Sequence, residues 1–140
     1  MPERIVYTGH FVDKPDELAD KVGGKLTGDD VTMHAHHVTH TYKPEGLGDI
    51  KPGTKRNLHI TGEVVTDRVH AVTVESLDGA QISTKDHPHI TIATAKGAKP
   101  VESDAAIAEA RANGTLKPIH PPIPVETTGG YFDGKEVRLK

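Results

Sequence analysis

Two runs of alternating residues, LHITGEVVT and VHAVTVESL, are separated only by Asp67-Arg68. Alternate side chains of a strand share a face, and two such runs joined by a short turn are typical of an antiparallel hairpin. The sequence therefore predicts a hairpin over about residues 58–77. Because this and other strands join as hairpins, we expect a largely antiparallel sheet.

Short segments rich in Val, Ile, Thr and His, bounded by Gly and Pro, predict further strands over residues 4–12, 31–42 and 88–95. The segment KPIHPPIP, residues 117–124, contains four prolines. Proline has no backbone N–H, so we expect an irregular, extended connector there. In the tail, VETT is expected to pair with YFDGKEVRL across turn glycines.

Two helices are predicted. The first begins in residues 14–18, where a proline and two acids suit a first turn, and ends at Gly23-Gly24. The second covers residues 103–113, with Ser103 as the N-cap and Gly114 following its last turn. Together these elements predict the α+β class, with a mostly antiparallel sheet and two helices.

The chain has 140 residues, which suits one domain spanning residues 1–140. A formal net charge of −3 is unlike that of proteins that grip long duplex DNA. The absence of cysteine excludes disulfides and thiolate metal sites. No apolar stretch approaches the ~20 residues of a membrane span, and the first residues lack a secretion signal. We therefore expect a cytoplasmic protein without a membrane partner.

Two strings repeat one pattern: His37-Val38-Thr39 and His89-Ile90-Thr91. In a strand, the His and the Thr of each string point to the same side. If the two strings face each other, two imidazoles can exchange a proton while two hydroxyls bind a phosphate. Histidine suits both proton roles because its ordinary pKa lies near neutrality. Opening a 2′,3′-cyclic phosphate needs this set of groups and no metal.

The motifs HHVTH (36–40) and HPHITIA (87–93) resemble the paired His-x-Thr signatures of the 2H phosphoesterase superfamily. Within it, the chain resembles the cyclic phosphodiesterase domains of fungal and plant-type tRNA ligases and their small RNA-repair-like bacterial relatives. The resemblance spans roughly residues 31–112. The second motif matches fully, whereas the first has His40 where the family has an apolar residue.

The resemblance implies a two-lobed α+β sheet around a central cleft, with one motif strand on each side. It implies metal-independent hydrolysis of a cyclic phosphate on an RNA end or a nucleotide, without a cofactor. Carried over, His37 and His89 are the acid–base pair, and Thr39 and Thr91 are the phosphate ligands. Which histidine is the base does not follow from the sequence.

Lysines near the motifs are candidates for further substrate contacts. Lys43, Lys85 and Lys96 would each add positive charge beside the expected cleft. The few aromatic residues Phe11, Tyr42 and Tyr131 are candidates for stacking on a base. Because the chain has only two Phe and three Tyr, we expect the core to need them instead.

Two other functions remain open. A cupin-like metal site would use His34, His36 and His40, and Gly28 fits the opening of the first cupin motif, although the second motif is absent. On one regular strand these three histidines would lie on the face opposite His37. A binding module that retains the fold without turnover is the second alternative. A histidine-triad hydrolase is disfavoured, because a threonine stands where the third histidine is needed.

Overall fold

A computed structural model describes residues 5–21, 31–48, 50–76, 82–83, 87–99 and 101–139. Within them lie eight strands and two helices, in an order typical of the α+β class that the sequence predicts. The elements are β1 (Tyr7–Val12), α1 (Pro15–Lys21), β2 (Thr32–Met33), β3 (His37–Tyr42), β4 (Lys55–Val65), β5 (Val69–Ser76), β6 (His89–Thr94), α2 (Glu102–Asn113), β7 (Lys117–Phe132) and β8 (Val137–Arg138).

Six strands close into an antiparallel barrel in the order β1-β3-β6-β5-β4-β7, and β7 pairs again with β1. The short strands β2 and β8 attach to β6 and β7. The predicted hairpin is confirmed as β4–β5, whose turn is closed by a 2.9 Å bond from the Thr66 N–H to the Val69 carbonyl. Two strands distant in the sequence, β3 and β6, are thereby neighbours.

The expected connector over residues 117–124 is wrong, because this segment is the first half of the 16-residue strand β7. Prolines are tolerated in strands at bulges and along unpaired edges. Pro121 and Pro122 fall where the β4–β7 register shifts, between the pairs Ile60↔Ile123 and Gly62↔Pro118. The tail prediction also needs correction: residues 125–128 and 131–132 belong to one strand, and only β8 folds back on it.

The barrel interior holds the main core, which is built from aliphatic side chains as the shortage of aromatics requires. Its fully buried members include Val38, Leu58, Ile60, Val72 and Ile90. Burying such side chains provides most of the folding free energy, at roughly 25 cal/mol per Å² of apolar surface.

Helix α2 lies outside the barrel and covers a second cluster formed by Val64, Ala71, Ile107 and Ala110. Gly114 follows it with φ +70°, a left-handed conformation that favours glycine, as predicted. The N-cap prediction is wrong: Val101 is the N-cap residue and Ser103 lies buried in the first turn.

The predicted end of the first helix at Gly23-Gly24 falls outside the described residues. In the ranges that the structure covers, no helix combines the length and the apolar character needed to cross a membrane.

Candidate active site

The four motif side chains line one cavity of about 580 Å³: His37, Thr39, His89 and Thr91. They come from β3 and β6, which pair antiparallel through Val38 and Ile90. Those two central residues have no exposed surface and point into the barrel. Since side chains alternate along a strand, the flanking His and Thr residues project outwards. The two motifs therefore lie side by side on the outer wall of the barrel.

The His89 ring is oriented by a backbone carbonyl. Its Nδ1 lies 2.8 Å from the His87 carbonyl oxygen, which can only accept a hydrogen bond. Nδ1 must then carry a proton, and in the neutral ring the basic nitrogen is Nε2. An imidazole held in this way is suited to proton transfer at Nε2.

The His37 ring lies against two aromatic rings of β1. Its centroid is 4.7 Å from that of Tyr7 and 5.6 Å from that of Phe11. The β1–β3 register places Phe11 directly opposite His37 and Gly9 opposite Thr39. These contacts restrict the rotation of the His37 ring. Burial raises the pKa of Tyr7 to about 12, so its phenol remains protonated at neutral pH.

Serine hydroxyls support both motif threonines. Thr91 Oγ1 and Ser103 Oγ are 2.8 Å apart, and Ser103 is fully buried in the first turn of α2. Ser83 Oγ donates to the Thr39 backbone carbonyl at 2.7 Å. The sequence predicts Ser103 as an N-cap and predicts no role for Ser83, because both contacts depend on the tertiary arrangement. The only signal in the sequence for the Thr91 contact is the position of Ser103 at the start of the helix that follows the second motif.

His34 and His36 line the same cavity as the motif residues, so their expected position on the opposite face is wrong. That expectation assumed one regular strand, but residues 34–36 separate β2 from β3. Ala35 adopts φ +60°, a left-handed conformation in which strand alternation is lost. His34 Nε2 is 3.0 Å from Thr94 Oγ1, and the His34 and His36 rings are 6.5 Å apart at 64°.

The metal set His34, His36 and His40 does not converge. His40 is buried on the other side of β3, where its ring meets that of His10 at 6.2 Å. Across the described ranges, no group of three or more His, Cys, Asp or Glu side chains is placed to hold a metal ion. The donor set of the cupin-like alternative is therefore not assembled.

Two lysine candidates, Lys43 and Lys96, lie within the described residues. Lys43 follows β3 and places its Nζ 5.6 Å from the Tyr42 ring centroid, a cation–π contact. Lys96 is exposed in the turn after β6. Neither belongs to the residues that line the cavity, and Lys85 falls outside the described residues.

The cavity mouth is apolar and aromatic. Tyr42 and Val101 line it with 59% and 70% of their surface exposed, respectively. The expectation that the core needs the aromatic residues is confirmed for Phe11 and Tyr131 and is wrong for Tyr42.

In comparisons with known proteins, no family model matches this sequence, and no curated protein is significantly similar to it. The resemblance to the 2H phosphoesterases thus depends on the two motifs and the sequence around them. The shared cavity of the motif residues is a separate observation, which does not depend on that resemblance.

Proposed function

We propose that this protein is a metal-independent phosphodiesterase that hydrolyses a 2′,3′-cyclic phosphate at an RNA end or on a nucleotide, within the cytoplasm. The observation that carries the proposal is the convergence of both His-x-Thr motifs on one cavity. Chance His-x-Thr strings are common in strands. Two of them on adjacent strands, with all four polar side chains on one face, are what phosphodiester chemistry requires.

The proposed reaction uses one imidazole as a base and the other as an acid. The base takes a proton from water as the water oxygen forms a bond to phosphorus. The bond between phosphorus and one ribose oxygen breaks, and the second imidazole protonates that oxygen. Hydroxyls of Thr39 and Thr91 donate to the non-bridging oxygens, where negative charge accumulates. The product is a ribose 2′- or 3′-phosphate monoester.

The two-lobed arrangement of the 2H resemblance also belongs to this proposal. Each motif strand, with the elements beside it, would represent one half: β1 and β3 on one side, β6 and α2 on the other. The cavity over the seam between β3 and β6 would then represent the cleft. The contacts of Tyr7 with His37 and of Ser103 with Thr91 support this division, since each motif is held by its own flank.

The test is turnover of nucleoside 2′,3′-cyclic phosphates by the wild type and by His37→Ala and His89→Ala. General acid and base groups contribute typically 10²–10⁴-fold, so each variant should lose roughly a hundredfold or more. His120→Ala is the matched control, because His120 is exposed and lies outside the cavity. EDTA should leave the activity unchanged, and the pH–rate profile should be bell-shaped.

Two outcomes favour the alternatives. If chelation abolishes activity and His34→Ala does the same, a metal-dependent site replaces this proposal. If the wild type binds RNA ends without turning over any cyclic phosphate, the protein is a non-catalytic binding module.

A further inference from the structure

We propose that Tyr42, Val101, His34 and His36 form a nucleobase subsite beside the two motifs, so that the substrate is recognised through the base that carries the cyclic phosphate. This inference depends on the proposed function for its substrate. The inference goes beyond the proposed function because it assigns base binding to the part of the cavity that the acid–base and phosphate-binding groups do not use.

The size of the cavity is the first argument. About 580 Å³ lies within the range of sites that enclose a whole small molecule. A five-membered cyclic phosphate held by the four motif side chains fills only part of that volume. The remaining wall is therefore available to another part of the substrate.

The chemistry of that wall is the second argument. Tyr42 ends β3, the strand of the first motif, and Val101 directly precedes α2; both line the cavity. Large apolar side chains exposed together at a cavity mouth mark a surface that binds an apolar partner. A nucleobase is flat, and base stacking on an aromatic ring is worth ~1–3 kcal/mol by alanine substitution, or about 5–150-fold in affinity.

The third argument comes from the histidine pair. His34 and His36 line the same cavity, and His34 Nε2 already has Thr94 Oγ1 at 3.0 Å. Burial, and then the neighbouring His36, lower the pKa of His34, so its ring is neutral at pH 7. With Nε2 bonded to Thr94, the neutral ring has Nδ1 left for one hydrogen bond, which suits the edge of an uncharged heterocycle better than a second phosphate.

The experiment compares two substrates that share the reactive ring. One is a nucleoside 2′,3′-cyclic phosphate, and the other is methyl riboside 2,3-cyclic phosphate, which lacks the base. The variants are Tyr42→Ala and His34→Ala. Their controls are Val137→Ala, an exposed apolar residue outside the cavity, and His120→Ala. Thermal unfolding of each variant confirms that it is folded.

We expect the wild type to prefer the nucleoside by about tenfold or more in kcat/KM. Tyr42→Ala and His34→Ala should lower kcat/KM for the nucleoside about tenfold and leave the methyl riboside unchanged, while both controls match the wild type. Equal losses on both substrates, or no loss on either, would overturn the subsite. So would a His34→Ala defect seen only with a nucleoside that also carries a 5′-phosphate, because that result assigns His34 to a second phosphate.

Failure of the proposed function gives a different result. If the wild type hydrolyses neither substrate, the same variants are tested by equilibrium binding of a nucleoside 3′-monophosphate and of ribose 3-phosphate. A loss of affinity for the nucleotide alone supports the subsite in a protein without turnover. An equal or absent loss overturns it.

Discussion

Thr91 Oγ1 lies 2.8 Å from Ser103 Oγ, so the first turn of α2 is hydrogen-bonded to the wall of the cavity. This bond makes Ser103 a positioning residue that would act through Thr91. Ser103→Ala removes a bond worth ~0.5–1.5 kcal/mol, which corresponds to about 2–12-fold. Because the Thr91 hydroxyl is proposed to meet charge that accumulates in the transition state, kcat should fall by this factor while KM stays close to wild type.

Steady-state kinetics on a nucleoside cyclic phosphate measures this effect. The matched control is Thr61→Ala, which removes another hydroxyl pair, that of Thr61 with Thr73 at 3.0 Å, outside the cavity. Comparable destabilisation of both variants, with a lowered kcat only in Ser103→Ala, is the expected pattern. An unchanged kcat in Ser103→Ala would contradict the positioning role.

Gly9 is required where β1 passes closest to β3. A Cβ at this position would lie 2.5 Å from the carbonyl oxygen of Val38, which stands between His37 and Thr39. Gly9→Ala must displace backbone, so we expect a loss of roughly 1–3 kcal/mol in unfolding free energy, together with reduced turnover. Gly46→Ala is the control, since a Cβ there meets nothing within 4 Å. Denaturant unfolding that shows equal stability for the two variants would refute this constraint.

Tyr7 should titrate apart from an ordinary phenol. Its pKa is raised to about 12 by burial, from the usual 10. The unfolded chain therefore ionises first, and this group's contribution to stability declines as the pH rises from about 10 to 12. Near-ultraviolet absorbance should show a tyrosinate component with a midpoint near pH 12. That component should vanish in Tyr7→Phe and persist in Tyr42→Phe; its persistence in Tyr7→Phe would assign it elsewhere.

His10 makes the fold sensitive to acid. Burial, followed by the charges of Arg56 and His40, lowers its pKa from 6.5 to about 4. The unfolded state binds the proton more tightly, so the contribution of His10 is full above pH 6.5, falls as the pH drops, and is lost below about 4. The contribution of His10 to the free energy of unfolding that is lost over this pH range is on the order of 3 kcal/mol.

Urea unfolding between pH 7 and pH 4 tests this dependence. His10→Leu removes the titrating group and should flatten the decline in unfolding free energy. His120→Leu, an exposed substitution, should keep the wild-type slope. Parallel slopes for all three proteins would show that other groups cause the acid sensitivity.

The motif strands could be predicted because strand alternation has a period of two. That rule alone placed His37 and Thr39 on one side of a chain segment, and His89 and Thr91 on one side of another. It failed at His34 and His36, where Ala35 takes a left-handed conformation that nothing in its residue type predicts. Strand alternation therefore does not extend from β3 back through residues 34–36.

Closure of the barrel could not be predicted from local patterns. The four prolines in residues 117–124 suggested irregular chain, but β4 tolerates them through a register shift near Pro121 and Pro122. The contact of Ser103 with Thr91 is likewise set by how α2 packs on Ala71 and Val64. Such relationships depend on the tertiary arrangement and leave no periodic trace in the sequence.

Because β3 and β6 are hydrogen-bonded neighbours in a closed ring, backbone geometry fixes the gap between the two imidazole-bearing strands. Under the proposed function, β3 and β6 would hold the proton-transfer groups, while residues 34–36, Tyr42 at the end of β3 and the start of α2 would select the ligand. Substitutions in residues 34–36 or at the start of α2 would then alter which ligand binds without moving the strands that carry His37 and His89.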